Sequence, residues 1–161
     1  MSKKIILLAG PTASGKSKLA IHLAKKLNGE IINADSMQIY KEFTILSSRP
    51  NKSELKKVKH HLYGLISVKK YFSAGDWLKE AKKKIKLCLK NKKLPIIVGG
   101  TGLYFNTITQ GISKIPNIDS STREKVRKLF KKLGYKKFYE KLLILDPKVK
   151  NKISLSDSQR T

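Results

Sequence analysis

The sequence predicts an α/β fold: a parallel sheet flanked by helices and built around a phosphate-binding loop, with the start of an all-helical segment after it. Three observations support that reading. Residues 10–17, Gly-Pro-Thr-Ala-Ser-Gly-Lys-Ser, fit the pattern G-x-x-x-x-G-K-[ST] without a mismatch, between an apolar run and a helical pattern. A second apolar run, Ile96-Ile97-Val98, leads into another glycine loop, Gly99-Gly100-Thr101-Gly102. A third, Glu30-Ile31-Ile32-Asn33-Ala34, ends in Asp35. Strand-like runs alternating with helical patterns mark a parallel sheet, here of P-loop NTPase-like type.

The first run, Ile5-Ile6-Leu7-Leu8-Ala9, reads as a buried parallel strand. Leu19, Ala20, Leu23, Ala24 and Leu27 then recur at helical spacing, and Asn28-Gly29 closes that helix. Between strand and helix, Gly10, Pro11, Thr12, Ala13, Ser14 and Gly15 supply backbone N–H groups that face a di- or triphosphate. Lys16 adds a point charge, and the Ser17 hydroxyl suits Mg²⁺. Read alone, this loop suggests ATP.

After Asp35 come Ser36-Met37-Gln38-Ile39-Tyr40, densely polar for a segment leaving a strand. Ligands of open α/β sheets bind outside the carboxyl ends of the strands, so Asp35 is expected to project toward the phosphate loop. An Asp capping the next helix is the plain alternative. Residues 41–59 are irregular around Ser47-Ser48-Arg49-Pro50, with a short helix expected from Glu54 to Lys59. His60 to Ile66 reads as a third strand. Its adjacent histidines point to opposite faces and do not chelate one metal together. No cysteine or carboxylate lies close in sequence, which argues against a metal site there. His22 carries no signal.

Ser73-Ala74-Gly75-Asp76 leads into a helix with Leu78, Ala81, Ile85, Cys88 and Leu89 on one face and a lysine stripe on the other. Pro95 precedes the strand at 96–98, and Leu103-Tyr104-Phe105 opens the next helix. Three glycines within four residues let the backbone approach a ligand, and Thr101 is the side-chain donor among them. Near Gly111 the character changes. Ser121-Thr122-Arg123-Glu124 matches a capping box and places a helix start at Ser121. Val126, Leu129, Phe130 and Leu133 give it an apolar face, Gly134 ends it, and a further helix is expected from Lys136 to Leu145. Asp146-Pro147 reads as an N-cap followed by proline at the first helical position. Residues 123–152 hold 12 Lys or Arg against 3 acids. Two domains are therefore expected, a core at 1–113 with an incomplete sheet and the beginning of a basic helical segment at 114–161.

Composition narrows the class. The 161 residues hold 36 Lys+Arg against 11 Asp+Glu, a net charge of +25, which points to a polyanion such as nucleic acid. A lysine-biased proteome accounts for the same excess without a ligand. Cys88 is the single cysteine, so neither a disulfide framework nor a cysteine metal site is expected, and it reads as a buried small hydrophobe in a reducing compartment. Met1-Ser2-Lys3-Lys4 leaves no room for a signal peptide, and no apolar run approaches a membrane span. A cytoplasmic, soluble monomer is the expectation. A parallel phosphate-loop sheet normally has five strands and only three or four are found, so the chain reads as an N-terminal fragment.

These motifs resemble the tRNA dimethylallyltransferases (tRNA isopentenyltransferases) over essentially the whole chain. The matching residues are GPTASGKS at 10–17, DSMQIY at 35–40, His60-His61-Leu62, GGTGLY at 99–104, Asp146-Pro147, and Asp157-Ser158-Gln159-Arg160. The resemblance implies transfer of a dimethylallyl group from its diphosphate to the exocyclic amine of the adenosine 3′-adjacent to the anticodon. By that carry-over, Lys16, the loop amides and a Ser17-bound Mg²⁺ stabilise the departing diphosphate, and Asp35 accepts the amine proton. Thr101 touches the substrate tRNA beside the reacting centre. Ser36, Met37 and Gln38 line the adenosine pocket, with Gln38 reading the base edge. Arg123, Gln159 and Arg160 contact tRNA, and the basic helices begin an insertion that grips the anticodon stem-loop. Two departures stand out: Ser47-Ser48-Arg49-Pro50 replaces the family's usual Thr-Ala-Lys-Pro, and the later part of the family's length is missing. The competing readings are a small-molecule or nucleoside kinase on the same scaffold and a non-catalytic basic RNA-binding fragment.

Overall fold

A computed structural model describes residues 4–112 and 118–154, and the chain divides into two compact units, Met1–Ser113 and Lys114–Thr161. In the first unit the elements run β1 (Ile6–Ala9), α1 (Lys16–Lys26), β2 (Gly29–Asn33), α2 (Lys52–Lys57), β3 (His60–His61), α3 (Ala74–Lys90), β4 (Leu94–Gly99) and α4 (Gly102–Thr109). The described strands form one parallel sheet in the order β1-β4-β2-β3. That is the α/β architecture the alternating pattern predicts.

Side-chain alternation along β2 and β4 sorts the core onto two faces. Ile31, Ile96 and Val98 pack with Ala20, Ile21 and Ala24 of α1. Ile32, Ala34 and Ile97 pack with Trp77, Leu78, Ala81, Ile85 and Cys88 of α3 and Tyr104 of α4. Trp77 is the residue the sequence reading of α3 passes over. It is fully buried, stacks on Tyr104 with ring centroids 4.4 Å apart, and donates its indole N–H to the Asn33 carbonyl at 2.8 Å. Its place four residues before Ala81 is the helical spacing that could have revealed it.

Several expectations need correction. The first strand is parallel as expected but not fully buried: among the described residues β1 pairs with β4 alone, and Leu7 is 42% exposed while Ile6 and Leu8 turn inward. The core face of α1 is Ala20, Ile21 and Ala24, whereas Leu19 and Leu27 are exposed because the helix lies rotated toward its smaller residues. Gly29 belongs to β2; the left-handed residue after α1 is Asn28, at φ 52°. The short helix starts at Lys52, because Asn51 caps it by accepting from Glu54 N while its own N–H donates to the Glu54 carboxylate. The third strand is only His60–His61, and a single bridge between Tyr40 and Ile66 continues the pairing beyond it.

In the second unit, α5 spans Ser120–Leu145 and breaks its helical geometry at Gly134, φ 68° and ψ 175°, so two helical pieces meet there as the glycine predicted. The cap is Asp119, not Ser121. Its carboxylate accepts from Thr122 N, Ser121 Oγ and Thr122 Oγ1, which fixes the start of α5 earlier and holds that carboxyl far below the usual range. Phe130 packs edge-on against both Tyr135 and Phe138. Pro147–Asn151 forms a 3-10 turn, with Asp146 as the expected cap. The connector at Ile115-Pro116-Asn117 lies outside the described residues. Among those described, no helix is long and apolar enough to cross a membrane.

Candidate active site

Strand order builds the site. Because β4 lies between β1 and β2, the loops leaving these three strands emerge side by side at the carboxyl edge of the sheet. The phosphate loop, the second glycine loop and the Asp35 segment thus become neighbours, although about 90 residues separate the first from the second.

In the phosphate loop Gly15 takes φ 81° and immediately precedes α1. A side chain there would be strained, and glycine allows the turn. No side chain caps the helix and no acidic residue sits in its first turn, so its leading N–H groups are left for an anion. Lys16 is half-buried and donates to the Pro11 carbonyl at 2.8 Å, folding its ammonium back across the loop. Gly10 N is held 3.3 Å from the Gly99 carbonyl, which ties the two glycine loops together. Thr12, Ala13, Gly15, Lys16 and Ser17 line a pocket of about 350 Å³ together with Ser48 and Glu54.

Asp35 stands at the end of β2, half-buried. Asn33 fixes it from behind: Asn33 Oδ1 accepts from Asp35 N, and Asn33 Nδ2 donates to the carbonyls of Asp35 and Leu62. Asp35 Oδ1 accepts from Met37 N at 2.9 Å, so the carboxylate closes a turn instead of capping a helix. Its Oδ2 faces the glycine loops: a methyl group placed on Gly100 would lie 3.6 Å from Oδ2 and 3.3 Å from the Gly10 carbonyl. Gly99 is required for a different reason, since any Cβ there would overlap the Ala34 backbone.

Thr101 is the N-cap residue of α4, yet its hydroxyl does not cap its own helix. Thr101 Oγ1 accepts from Ser36 N at 2.9 Å and approaches Ser36 Oγ at 3.3 Å, while Thr101 N donates to the Ala34 carbonyl. The second glycine loop is therefore bolted to the Asp35 segment at both backbone and side chain. The phenols nearby are held neutral: burial pushes Tyr104 up to about 12, with Tyr40 and Asp35 adding to the effect, and burial raises Tyr63 further. Asp35 is the carboxylate that the Asn33 and Met37 contacts hold beside the two glycine loops.

Of the remaining expected residues, Met37 is half exposed beside Asp35. Gln38 is committed elsewhere, its amide donating to the Ser47 and Ser48 carbonyls at 2.8 and 3.3 Å. Arg49 points its guanidinium at the Tyr40 and Lys41 carbonyls and lies so close over Gly64 that a side chain there would collide with it. These two residues hold the 41–50 loop in place, a role that no local pattern announces. Arg123 is exposed on α5 in the second unit, and Gln159 and Arg160 lie outside the described residues.

A second polar cluster lies at the other end of β2. His60 and His61 do face apart, as alternation requires, but His61 meets Glu30 and Cys88, both distant in sequence. The absence of a nearby carboxylate or cysteine in the sequence is thus overturned by the fold, which pairs β2 with β3 and lays α3 over both.

Residues 38–161 match the family model described as IPP transferase. The chain belongs to the IPP transferase family. It is 58% identical over 158 residues to the tRNA dimethylallyltransferase of Pelagibacter ubique, covering 98% of this chain and 50% of that protein. The Rickettsia massiliae tRNA dimethylallyltransferase is 49% identical, over 98% of this chain and 44% of its own length. Among solved structures, a eukaryotic dimethylallyltransferase acting on tRNA superposes with a TM-score of 0.81 at 33% identity, covering 99% of this chain and 40% of that one. The tRNA isopentenylpyrophosphate transferase of Bacillus halodurans gives 0.69 at 32% identity, with coverages of 99% and 53%. The chain spans about half the length of these curated relatives.

Proposed function

We propose that this chain provides the diphosphate site and the proton acceptor of a tRNA dimethylallyltransferase. The enzyme moves a dimethylallyl group from dimethylallyl diphosphate to the exocyclic amine of the adenosine 3′-adjacent to the anticodon. The observation that most favours this reading is the convergence at Gly100 of the Gly10 carbonyl and Asp35 Oδ2, which sets a carboxylate beside a phosphate loop.

In that arrangement the diphosphate sits on the N-terminus of α1, within reach of Lys16. The amine nitrogen forms its bond to the allylic carbon as the carbon–oxygen bond to diphosphate breaks. The bonding pair leaves with diphosphate, and the developing charge meets loop N–H groups and the Lys16 ammonium. The amine proton becomes acidic as the new bond forms and passes to Asp35. The adenosine has to leave its stack to reach this edge, and Ser36 and Met37 flank the position it would occupy. Mg²⁺ fits the donor set, since the exposed Ser17 hydroxyl lines the same pocket and a hard cation takes its other ligands from phosphate oxygens and water. There it would neutralise charge on the leaving group. The basic second unit, with Arg123, is proposed to meet the anticodon stem-loop through phosphates, and the enzyme to act as a monomer.

The test is a chimera of this chain with the second half of the Pelagibacter ubique relative, assayed with labelled dimethylallyl diphosphate and an anticodon stem-loop RNA. Asp35→Asn should lower transfer by about 10²–10⁴-fold, the scale of a lost acid–base group, with diphosphate affinity retained. Undiminished transfer in that variant would remove Asp35 from the chemistry.

A further inference from the structure

The reaction proposed above makes no use of Glu30, His61 and Cys88. Glu30 lies near the start of β2, His61 on the paired strand β3, and Cys88 in the last turns of α3. Glu30 and His61 project onto the sheet face that α3 covers, Cys88 meets them from α3, and the exposures of the three are 6%, 7% and 0%. His61 Nε2 stands 2.6 Å from Glu30 Oε2, while Cys88 Sγ is 3.5 Å from that oxygen and 4.0 Å from Nε2. One ligand atom from each therefore falls within 4.8 Å of the others. Five residues along an extended strand separate Glu30 from Asp35, about 16 Å, so the cluster is not part of the reacting centre.

We propose that Glu30, His61 and Cys88 bind a zinc-class divalent cation. The donor set argues for that class. Thiolate, imidazole and carboxylate are the zinc ligands, whereas Mg²⁺ and Ca²⁺ select oxygen. Charge argues the same way: one carboxylate and one thiolate cancel a divalent cation and leave a neutral unit, which a buried site tolerates. Bond lengths of about 2.0–2.3 Å in a tetrahedron imply ligand separations of about 3.3–3.7 Å. Two of the three observed separations are within about 0.5 Å of that range. The Glu30–His61 contact has to open by about 1 Å, a side-chain adjustment. On binding, the Cys88 thiol proton leaves to solvent and the imidazole proton moves from Nε2 to Nδ1. Sulfur, Nε2 and a carboxylate oxygen then each donate a lone pair, and water takes the fourth position. The site clamps β2, β3 and α3 together at the end of the sheet opposite the phosphate loop.

Cobalt is the probe that reads this directly, because a cobalt–thiolate bond gives a near-ultraviolet charge-transfer band that an oxygen site such as Ser17 cannot give. Titrating Co²⁺ into the reduced, purified chain in excess Mg²⁺ should produce that band at one equivalent, and Zn²⁺ should abolish it. Cys88→Ser should remove the band. Glu30→Gln should weaken Co²⁺ binding by more than the roughly 10–100-fold that loss of a supporting contact costs. In the unaltered chain, Zn²⁺ should also protect Cys88 from a thiol reagent, a readout independent of how any variant folds. No thiolate band with the unaltered chain, a band that survives Cys88→Ser, or unchanged thiol reactivity with Zn²⁺ overturns the proposal.

Discussion

Replacing Thr101 by valine isolates the joint between the two loops that form the site. Valine keeps the shape and deletes one hydroxyl, which accepts from Ser36 N at 2.9 Å and lies 3.3 Å from Ser36 Oγ. The Ser36 N–H is then left in a half-buried position without an acceptor, which costs about 1–3 kcal/mol when burial is complete. Because Ser36 is only partly buried, about 1–2 kcal/mol is the expected loss. At about 2–4 °C per kcal/mol for a chain of this size, Tm should fall by about 2–8 °C. Urea unfolding followed by circular dichroism should show a lower midpoint with an unchanged slope. Thr101→Ser, which keeps the oxygen, should recover most of the loss. A valine variant within about 0.3 kcal/mol of the parent, or a serine variant as damaged as valine, would refute the idea that this hydroxyl joins the loops.

Other substitutions test neighbouring parts of the account. Gly99→Ala places a methyl group inside the Ala34 backbone, so the variant should fail to accumulate as a folded protein in a soluble-expression and circular-dichroism comparison. Lys16→Met should weaken dimethylallyl diphosphate binding by calorimetry about 10–100-fold, the equivalent of about 1.5–3 kcal/mol for hydrogen bonds to a charged group. Ser73 caps α3 by accepting from Asp76 N, and the return hydrogen bonds from the Ser73 side chain and backbone hold the Asp76 carboxyl below the ordinary 3.8. A carboxyl lowered by folding adds stability above its unfolded value and loses it as pH falls through the folded one. Stability should therefore drop below pH 3.8, and Asp76→Asn should flatten that part of a pH–melting curve.

What the sequence revealed of the site, and what it hid, follows from how local each feature is. The phosphate loop, Asp35 at a strand end and the second glycine loop each need only a few consecutive residues of the right type, so they were legible. Their meeting was legible too, because parallel strands send their loops to one edge. Gln38 was assigned to the base edge by a motif resemblance, which gives a role without a direction. In the structure the Gln38 amide donates to the Ser47 and Ser48 carbonyls and the Arg49 guanidinium to those of Tyr40 and Lys41, across a stretch with no periodicity from which to infer those paths. The solvent-facing Leu7 of β1 and Leu19 of α1 show the limit of hydrophobic pattern: periodicity finds an apolar face but not how much of it a neighbour covers. The Glu30–His61–Cys88 cluster lay furthest from reach, since its members come from three elements and the Cys88–Glu30 contact spans 58 residues. Only the pairing of β2 with β3 under α3 brings them together.

In the proposed reaction the loop at 10–17 holds a diphosphate that departs, not a phosphoryl group that is transferred. The most direct measurement follows both products in the chimera supplied with dimethylallyl diphosphate, ATP, Mg²⁺ and the stem-loop RNA. One inorganic diphosphate should be released for each N-allylated adenosine formed, with ATP unconsumed. ADP production with no allylated adenosine would contradict it and identify a kinase built on the same loop.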